Sequence, residues 1–233
     1  MTRVKICGVT NEEDLLLCAD AGAHALGFVV EYPVPVPWNL SLEQAKPLFK
    51  RLPPFCCGCA VTGGEPEKVL ALAEALRPHT VQLQYRETPE DVAFLCQRLT
   101  LRGVQVIKAV AFSDGSGRSR EDFLALCQEY CCAGVSALVL DSRHAGNAAE
   151  KSRPADLALY RALQSVLERP IILAGGLTAE NLGGILKEAS PCAVDVLSGV
   201  EDFPGKKSPQ KVRAFLREAF SPENTTGSEI LPL

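Results

Sequence analysis

The amino-acid sequence predicts a single-domain α/β fold, a closed (β/α)8 barrel of the TIM type. The 233 residues suit one such domain, because these barrels hold about 200 to 250 residues. Short β-branched runs alternate eight times with amphipathic helical patterns, and this alternation indicates parallel strands joined by right-handed crossovers. A doubly wound open sheet is the alternative. It is less favoured because Gly8-Val9-Thr10-Asn11 follows the first strand instead of a GxGxxG motif.

Each strand is predicted from a short apolar or β-branched run, of the length expected for strands buried on both faces. The predicted strands are 3–7, 25–30, 54–61, 79–84, 104–110, 136–141, 170–174 and 192–198. The helices are predicted from apolar residues at helical spacing, such as Val69, Leu72, Ala73 and Leu76. The predicted helices lie near 11–22, 41–51, 65–76, 88–100, 119–132, 155–167, 178–189 and 208–220.

The helix starts carry capping signals. Thr10-x-x-Glu13 and Ser41-x-x-Gln44 fit the capping box, in which the cap hydroxyl and the third helical residue exchange hydrogen bonds. Thr88-Pro89 and Ser208-Pro209 place a cap residue before a proline at the first helical position. Residues 221–233 carry no periodicity, so we expect a barrel over residues 1–220 and a flexible carboxyl-terminal tail.

The composition predicts an ordinary soluble protein of the cytoplasm. It is 47% hydrophobic and 22% charged, which suits a globular domain with a sizeable core. The net charge of −4 provides no basic field for nucleic acid or an anionic membrane. The apolar stretches are strand-sized, and the first residues lack the apolar core of a signal peptide. We expect no nucleic-acid or membrane partner, and either a monomer or a homodimer.

Ten cysteines raise the question of a metal site. A secreted disulfide framework is typical of short, loop-rich chains, so most of these cysteines are expected to pack as small apolar side chains. Only Cys56-Cys57-Gly58-Cys59 resembles a metal-binding group, and it would indicate a zinc-binding or non-catalytic barrel. Successive strand residues point to opposite faces, so Cys56 cannot join Cys57 and Cys59 without a bend. We therefore predict no metal site.

The first strand places two reactive side chains in the barrel interior. Its apolar residues, Val4 and Ile6, suit the helix-facing side, so Lys5 and Cys7 are expected to point inward. An interior lysine is costly unless it is paired, and Asp195 on the neighbouring eighth strand is the expected partner. An ammonium group beside Cys7 would lower the thiol pKa, and one unit corresponds to about 1.4 kcal/mol. Taken alone, Cys7 also fits a simple packing role.

A carboxylate follows the sixth strand. Asp141 closes the buried run 137–140, where it would either cap the next turn or face the mouth of the barrel. Catalytic groups of these barrels lie at the carboxyl ends of the strands. A thiolate base and a carboxylic acid on two sides of the mouth would suit proton transfer on a small carbonyl or imine substrate.

The loops after strands seven and eight are rich in glycine. The seventh strand is followed by Gly175 and Gly176, and the eighth by Ser198 and Gly199. Glycines let backbone N–H groups approach an anion, and these two loops form the usual phosphate site of such barrels. We therefore predict a phosphorylated small-molecule substrate bound at these four residues.

Several further motifs follow one another along the chain: Lys5-Ile6-Cys7-Gly8-Val9-Thr10, Gly27-Phe28-Val29, Glu65-Pro66-Glu67-Lys68, Val81-Gln82-Leu83, Leu173-Ala174-Gly175-Gly176-Leu177, Asp195-Val196-Leu197-Ser198-Gly199-Val200-Glu201 and Pro204-Gly205-Lys206-Lys207. With these motifs in this order, the chain resembles the phosphoribosylanthranilate isomerases, (β/α)8 enzymes of tryptophan biosynthesis, over roughly residues 3–218. The resemblance implies an Amadori rearrangement of an aminoaldose phosphate to an aminoketose, without metal or organic cofactor. It also implies that Cys7 is the general base and Asp141 the general acid.

The sequence departs from the family on the side that binds the anthranilate carboxylate. The resemblance implies an arginine after strand two, but residues 31–40 contain none and include Glu31, which would repel a carboxylate. One hypothesis is that Arg86 or Arg143 binds the carboxylate instead. The other is a paralogous isomerase or epimerase for a different phosphorylated amino-sugar, with Trp38 and Tyr85 lining a less acidic pocket. The candidate pocket residues are Lys5, Trp38, Gln82, Gln84, Arg86, Arg143 and Asp195.

Overall fold

The predicted barrel is confirmed. The computed structural model of the chain describes residues 1–112, 118–141 and 155–225. Eight parallel strands follow one another around a closed barrel, and the eighth pairs with the first. The strands are β1 Arg3–Cys7, β2 Ala25–Val29, β3 Cys57–Thr62, β4 Thr80–Leu83, β5 Gln105–Val110, β6 Ala137–Leu140, β7 Ile171–Ala174 and β8 Ala193–Val196.

One helix follows each barrel strand in the chain. These helices are α1 Glu12–Asp20, α2 Leu42–Arg51, α3 Pro66–Leu76, α4 Pro89–Thr100, α5 Arg120–Cys132, α6 Leu157–Gln164, α7 Ala179–Ala189 and α8 Pro209–Ala219. All predicted elements are present. The start of the third strand was placed too early, at residue 54, because Phe55 adopts a left-handed conformation (φ 67°) that interrupts an extended chain.

The segment after β8 contains elements that the sequence did not predict. A single 3-10 turn, Ser198–Val200, leads into the short hairpin formed by β9 Glu201–Phe203 and β10 Lys206–Lys207. A further helical turn, α9 Pro222–Thr225, lies within the segment predicted as a tail. Asn224 secures this turn by donating hydrogen bonds to the backbone oxygen and the carboxylate of Glu218. Residues 226–233 lie outside the described part.

The caps mostly follow the prediction. Ser41 and Thr88 form complete capping boxes, and the prolines predicted at the starts of α4 and α8 are there. Ser208 begins α8, although its side chain makes no capping hydrogen bond. The capping box at Thr10 was wrong. Asn11 caps α1 by accepting from the Asp14 N–H at 2.8 Å, while the Thr10 hydroxyl donates to the backbone oxygen of Gly205.

Strand residues alternate between two apolar regions. One side packs against the helices, and there Val4, Ile6 and Phe28 are at most 1% exposed; burying a side chain of this kind stabilises the fold by about 1.5 to 3 kcal/mol. The other side fills the barrel interior with a smaller cluster that includes Cys7 and Cys59. No helix of the described residues is long and apolar enough to cross a membrane.

Candidate active site

An ion pair lies inside the barrel beside the first strand. Lys5 on β1 stands in register with Asp195 on β8, and its ammonium donates to the Asp195 carboxylate at 2.8 Å. Both side chains are more than nine-tenths buried. Burial by itself lowers the pKa of Lys5, but the Asp195 carboxylate together with Cys7 and Cys59 outweighs it and holds that pKa above its usual value. The predicted pair therefore forms and keeps Lys5 positively charged.

Cys7 shares the space above a glycine of β2 with this ammonium. A Cβ atom placed on Gly27 would lie 2.8 Å from the Cys7 sulfur and 2.9 Å from the Lys5 nitrogen. Burial raises the pKa of the Cys7 thiol, and the neighbouring Lys5 opposes that rise without cancelling it. Lys5 thus acts on this pKa in the expected direction, but burial of the thiol has the larger effect.

The carboxyl group of Asp141 lies at the mouth of the barrel. Asp141 directly follows β6, is 8% exposed, and its backbone N–H donates to Val110. Two glutamines of the fourth strand and its loop face it. Gln82 donates to the side-chain oxygen of Gln84 at 2.6 Å, and Gln84 donates to the Asp141 carboxylate at 3.5 Å. Asp141 thus lies on the β4 to β6 side of the mouth, and Cys7 on the side of β1 and β8.

The proline-rich segment after β2 forms a strap, residues 31–40, whose ends are tied together. Val30 and Leu40 form a β-bridge next to its base. The amide of Asn39 both accepts from and donates to the backbone of Tyr32 at 2.9 Å. The Tyr32 hydroxyl reaches the backbone oxygen of Gln84, so this end of the strap is attached to the β4 loop.

The other end of the strap is attached to the β8 loop by Trp38. Its indole N–H donates to the Glu201 carboxylate at 2.8 Å, and the ring is 7% exposed. The ring lies against Gly8 at the end of β1, where a Cβ atom would come within 2.8 Å of it. Gly8 also has a left-handed backbone (φ 73°), so glycine is favoured there for two reasons. Trp38 therefore covers the Cys7 side of the mouth.

A buried charge pair holds Trp38 in place and was not recognised in the sequence. Glu201 accepts from Trp38, from the backbone N–H of Gly205 and from the ammonium of Lys207 at 2.9 Å. Lys207 is fully buried, and its backbone N–H donates to Asp14 on α1. The only signal in the sequence was an acidic residue and a lysine pair within the short glycine-containing segment after strand eight.

A second buried charge pair supports the loop after β4. The Lys108 ammonium contacts the Glu87 carboxylate at 2.9 Å and the backbone oxygen of Tyr85 at 2.8 Å. Burial lowers the pKa of Lys108, and Glu87 partly offsets this effect. Arg86, between Tyr85 and Glu87 in the sequence, is exposed, and its guanidinium lies 5.9 Å from the centre of the Tyr85 ring. Sequence reasoning identified Arg86 but not the ion pair beneath it.

Glu31 and Arg143 are the two other charged residues expected to affect binding of the substrate carboxylate. The carboxylate of Glu31 accepts from the Leu42 N–H at the start of α2, at 3.4 Å. The side chain thus turns toward a helix start, and its expected repulsion of a substrate carboxylate stays a prediction. Arg143 lies outside the described residues.

The glycine-rich loops after β7 and β8 pack closely together. Gly175 and Gly176 both have left-handed backbones, with φ of 97° and 59°. A Cβ atom on Gly199 would lie 1.8 Å from the backbone oxygen of Leu177, so the two loops touch there. Ser198 beside it is exposed. The four predicted phosphate-binding residues thus share one region of the mouth.

The cysteines of the third strand point in different directions. Cys56 packs toward the backbone oxygen of Ala23, Cys57 lies 3.5 Å from the Thr80 hydroxyl, and Cys59 belongs to the interior cluster. Within the described ranges, no three histidine, cysteine or acidic side chains are grouped to hold a metal ion. All ten cysteines are free, and most are buried or half-buried as expected, whereas Cys132 and Cys192 are exposed.

This geometry defines a class of protein. A closed (β/α)8 barrel with polar and charged side chains at the carboxyl ends of its strands, beside paired glycine loops, is typical of the barrel enzymes. Comparison with known proteins then identifies the family. The chain belongs to the N-(5′-phosphoribosyl)anthranilate (PRA) isomerases, whose family model matches residues 4–218.

Individual relatives agree with this assignment. The N-(5′-phosphoribosyl)anthranilate isomerase of Natronomonas pharaonis is 36% identical over 220 residues, 94% of this chain and 98% of the relative. A phosphoribosyl anthranilate isomerase solved with reduced 1-(o-carboxyphenylamino)-1-deoxyribulose 5-phosphate is 35% identical with a TM-score of 0.75. Solved monomers generated from the dimeric Thermotoga maritima enzyme are 32% identical, with the same TM-score. Both structures cover 94% of this chain, and it covers 98% of each.

Proposed function

We propose that this protein catalyses the Amadori rearrangement of N-(5′-phosphoribosyl)anthranilate to 1-(2-carboxyphenylamino)-1-deoxyribulose 5-phosphate in tryptophan biosynthesis. The observation that carries the proposal is the placement of Cys7 and Asp141 at the carboxyl ends of β1 and β6, on two sides of one barrel mouth. Membership in the PRA isomerase family supports the same reaction.

Asp141 acts first, as the general acid. It protonates the furanose ring oxygen, the bond between that oxygen and C1′ breaks, and the sugar opens to a protonated imine. Gln84, itself held by Gln82, donates to one carboxylate oxygen of Asp141 and so helps to orient the carboxyl group.

Cys7 acts second, as the general base. Its thiolate removes the C2′ proton, and the electron pair moves into the C1′–C2′ bond and onto the imine nitrogen, which gives an enolamine. Transfer of the C2′ hydroxyl proton and protonation of C1′ then give the ketose, so no atom is gained or lost overall. The route needs no metal or organic cofactor, because the imine itself accepts the electrons.

The phosphate of the substrate binds at the loops after β7 and β8. Gly175, Gly176, Ser198 and Gly199 hold it through backbone N–H groups and the serine hydroxyl. The left-handed glycines and the contact between Gly199 and the Leu177 backbone support this assignment, since larger residues would separate the two loops.

Arg86 is the residue we assign to the anthranilate carboxylate. It is exposed on the β4 loop, next to Tyr85 and close to the attachment point of the strap.

A second candidate function follows from Trp38. Because this buried ring covers the Cys7 side of the mouth, the pocket would also suit an aminoaldose phosphate without a carboxylate.

The test of the reaction is a fluorescence assay of isomerisation with freshly generated phosphoribosylanthranilate. We expect turnover in the usual enzyme range of about 1 to 1,000 per second for the wild type. Cys7→Ala and Asp141→Asn should each lose about 100-fold or more. Cys59→Ala is the matched control, because it removes a thiol from the same interior. Full activity of Cys7→Ala would exclude Cys7 as the base.

The test of carboxylate binding compares phosphoribosylanthranilate with the same aminoaldose built on aniline. Arg86→Ala should raise KM for the first substrate about 10-fold or more, because a hydrogen bond to a charged group contributes about 1.5 to 3 kcal/mol. Its KM for the second should not change. Arg98→Ala is the control, since Arg98 lies over Phe94 on α4. Equal turnover of both substrates by wild type and Arg86→Ala would favour the second candidate function.

A further inference from the structure

The charged and titratable groups around Cys7 form a small set. Among the described residues, Lys5 of β1, Asp195 of β8 and Cys59 of β3 face the same interior region, and Lys207 of β10 acts on Cys7 from the mouth. The second strand contributes only Gly27, which leaves the space open. Cys7 therefore has one close cation, Lys5, and one close anion, Asp195.

The geometry lets Lys5 serve both neighbours. Its nitrogen is 2.8 Å from the Asp195 carboxylate, so one N–H is engaged there. The same nitrogen and the Cys7 sulfur both lie within 3 Å of a single point above Gly27. An ammonium group has three N–H donors, so the bond to Asp195 does not use up its capacity toward the sulfur beside it. A side-chain hydrogen bond from Lys5 is one of the effects that lower the pKa of Cys7 against burial.

The charge balance shows why this sharing matters. With Cys7 as a thiol, Lys5 and Asp195 neutralise each other, and the interior carries no net charge. Loss of the thiol proton leaves one negative charge there. Without Lys5 the same step would leave two negative charges close together, which a buried site strongly disfavours. The ammonium therefore has to be present before Cys7 can act as a base.

We propose that Lys5 is the positioning residue of Cys7, holding its thiolate by charge compensation, and that Asp195 limits this effect by competing for the same ammonium. Lys5 thus favours loss of the Cys7 thiol proton, and Asp195 opposes it. For catalysis the inference rests on the proposed role of Cys7 as the base. The charge effect itself is a property of the folded protein without substrate.

The experiment measures the pH dependence of Cys7 alkylation by iodoacetamide in the folded protein, followed at the Cys7 peptide by mass spectrometry. In Lys5→Met the midpoint should rise by about one unit or more, which makes the thiolate about tenfold scarcer below it. In Asp195→Asn the midpoint should fall. Lys5→Arg keeps the charge and should stay within about half a unit of the wild type.

The opposite signs separate this proposal from a purely structural role, which would disturb Cys7 in the same direction in both variants. An unchanged midpoint in Lys5→Met, or equal shifts in both variants, would overturn it. If Lys5→Met does not fold, the double variant Lys5→Met/Asp195→Asn leaves no unpaired partner. Its midpoint should still rise above that of the wild type, because Lys5 affects Cys7 more strongly than Asp195 does. A midpoint at or below the wild-type value would overturn the proposal.

The same variants separate this inference from the proposed reaction. If Cys7 is the base, the acid limb of kcat against pH moves with the alkylation midpoint in each variant. If the alkylation midpoints move as expected and the kcat profiles do not, Cys7 is not the base and its proposed role in the reaction fails. The charge effect of Lys5 would still stand in that case.

Discussion

Adding one methyl group at Gly27 should separate the chemistry of the site from the stability of the barrel. The new Cβ atom would lie 2.8 Å from the Cys7 sulfur and 2.9 Å from the Lys5 nitrogen. Ordinary contact begins near 3.4 Å, so both groups have to retreat by about 0.6 Å. Displacements of about 1 Å cost on the order of 100-fold in rate. We therefore expect Gly27→Ala to lose about 10- to 100-fold in kcat.

The cost in stability should be modest. Overpacking a filled interior by one methylene costs about 1 to 3 kcal/mol. Replacing glycine by alanine regains about 0.4 to 1 kcal/mol by restricting the unfolded chain. The net loss in the free energy of unfolding is thus about 0 to 2.6 kcal/mol, or at most roughly 10 °C in Tm for a chain of this size. Urea unfolding and the isomerisation assay measure the two effects independently.

Gly58→Ala provides a matched control on the next strand. There the added Cβ atom would meet Leu52 at 2.4 Å and Phe49 at 3.1 Å, outside the barrel interior. Its loss of stability should be similar to that of Gly27→Ala, and its kcat should match the wild type. Equal residual kcat in the two variants would refute the view that contact with Cys7 and Lys5 makes Gly27 important.

Three further predictions concern the surroundings of the site. Glu201→Gln should cost about 3 to 5 kcal/mol in unfolding free energy, because it leaves the fully buried ammonium of Lys207 without a counter-charge. The double variant Glu201→Gln/Lys207→Met should recover much of this loss. A double variant that is no more stable than Glu201→Gln would contradict the prediction. Trp38 is the only tryptophan, so its emission should change when reduced 1-(o-carboxyphenylamino)-1-deoxyribulose 5-phosphate binds, and a titration without any change would place the ligand away from the strap. Burial lowers the pKa of His24, which accepts from the Val4 N–H. The His24 imidazole therefore binds a proton more readily in the unfolded chain, and the free energy of unfolding should fall as the pH drops below 6.5. That loss should be smaller in His24→Gln.

The Lys5–Asp195 ion pair beside Cys7 could be predicted from the sequence, because two simple rules place all three residues inside the barrel. Strand residues alternate between faces, so Lys5 and Cys7 had to share a side once Val4 and Ile6 were assigned to the helices. A closed barrel makes the first and eighth strands neighbours, which brought Asp195 into reach. The sign of the net pKa change at Cys7 did not follow, because it depends on the degree of burial and on how one ammonium is shared.

The charge pairs of the loops could not be predicted in the same way. Trp38 and Glu201 are 163 residues apart in the chain, and no strand period relates them. Lys108 and Glu87 are on a strand and a loop whose packing is decided by tertiary contacts. The wrong cap at Thr10 has a similar origin, since its hydroxyl is engaged by Gly205 from the far end of the chain. Local patterns predict elements, whereas these contacts depend on the assembled mouth.

The residues of the site are thus held in two different ways, some by barrel strands and others by loops. Cys7, Lys5 and Asp195 are on barrel strands, where backbone pairing on both sides fixes their positions. The residues that cover the mouth are on loops, and they are held by a few side-chain contacts at the two ends of the strap. A change in the strap can therefore alter the recognition of the aglycone without moving the thiol. This explains how residues 31–40 can lack an arginine while Lys5, Cys7 and Asp195 keep their places on the strands.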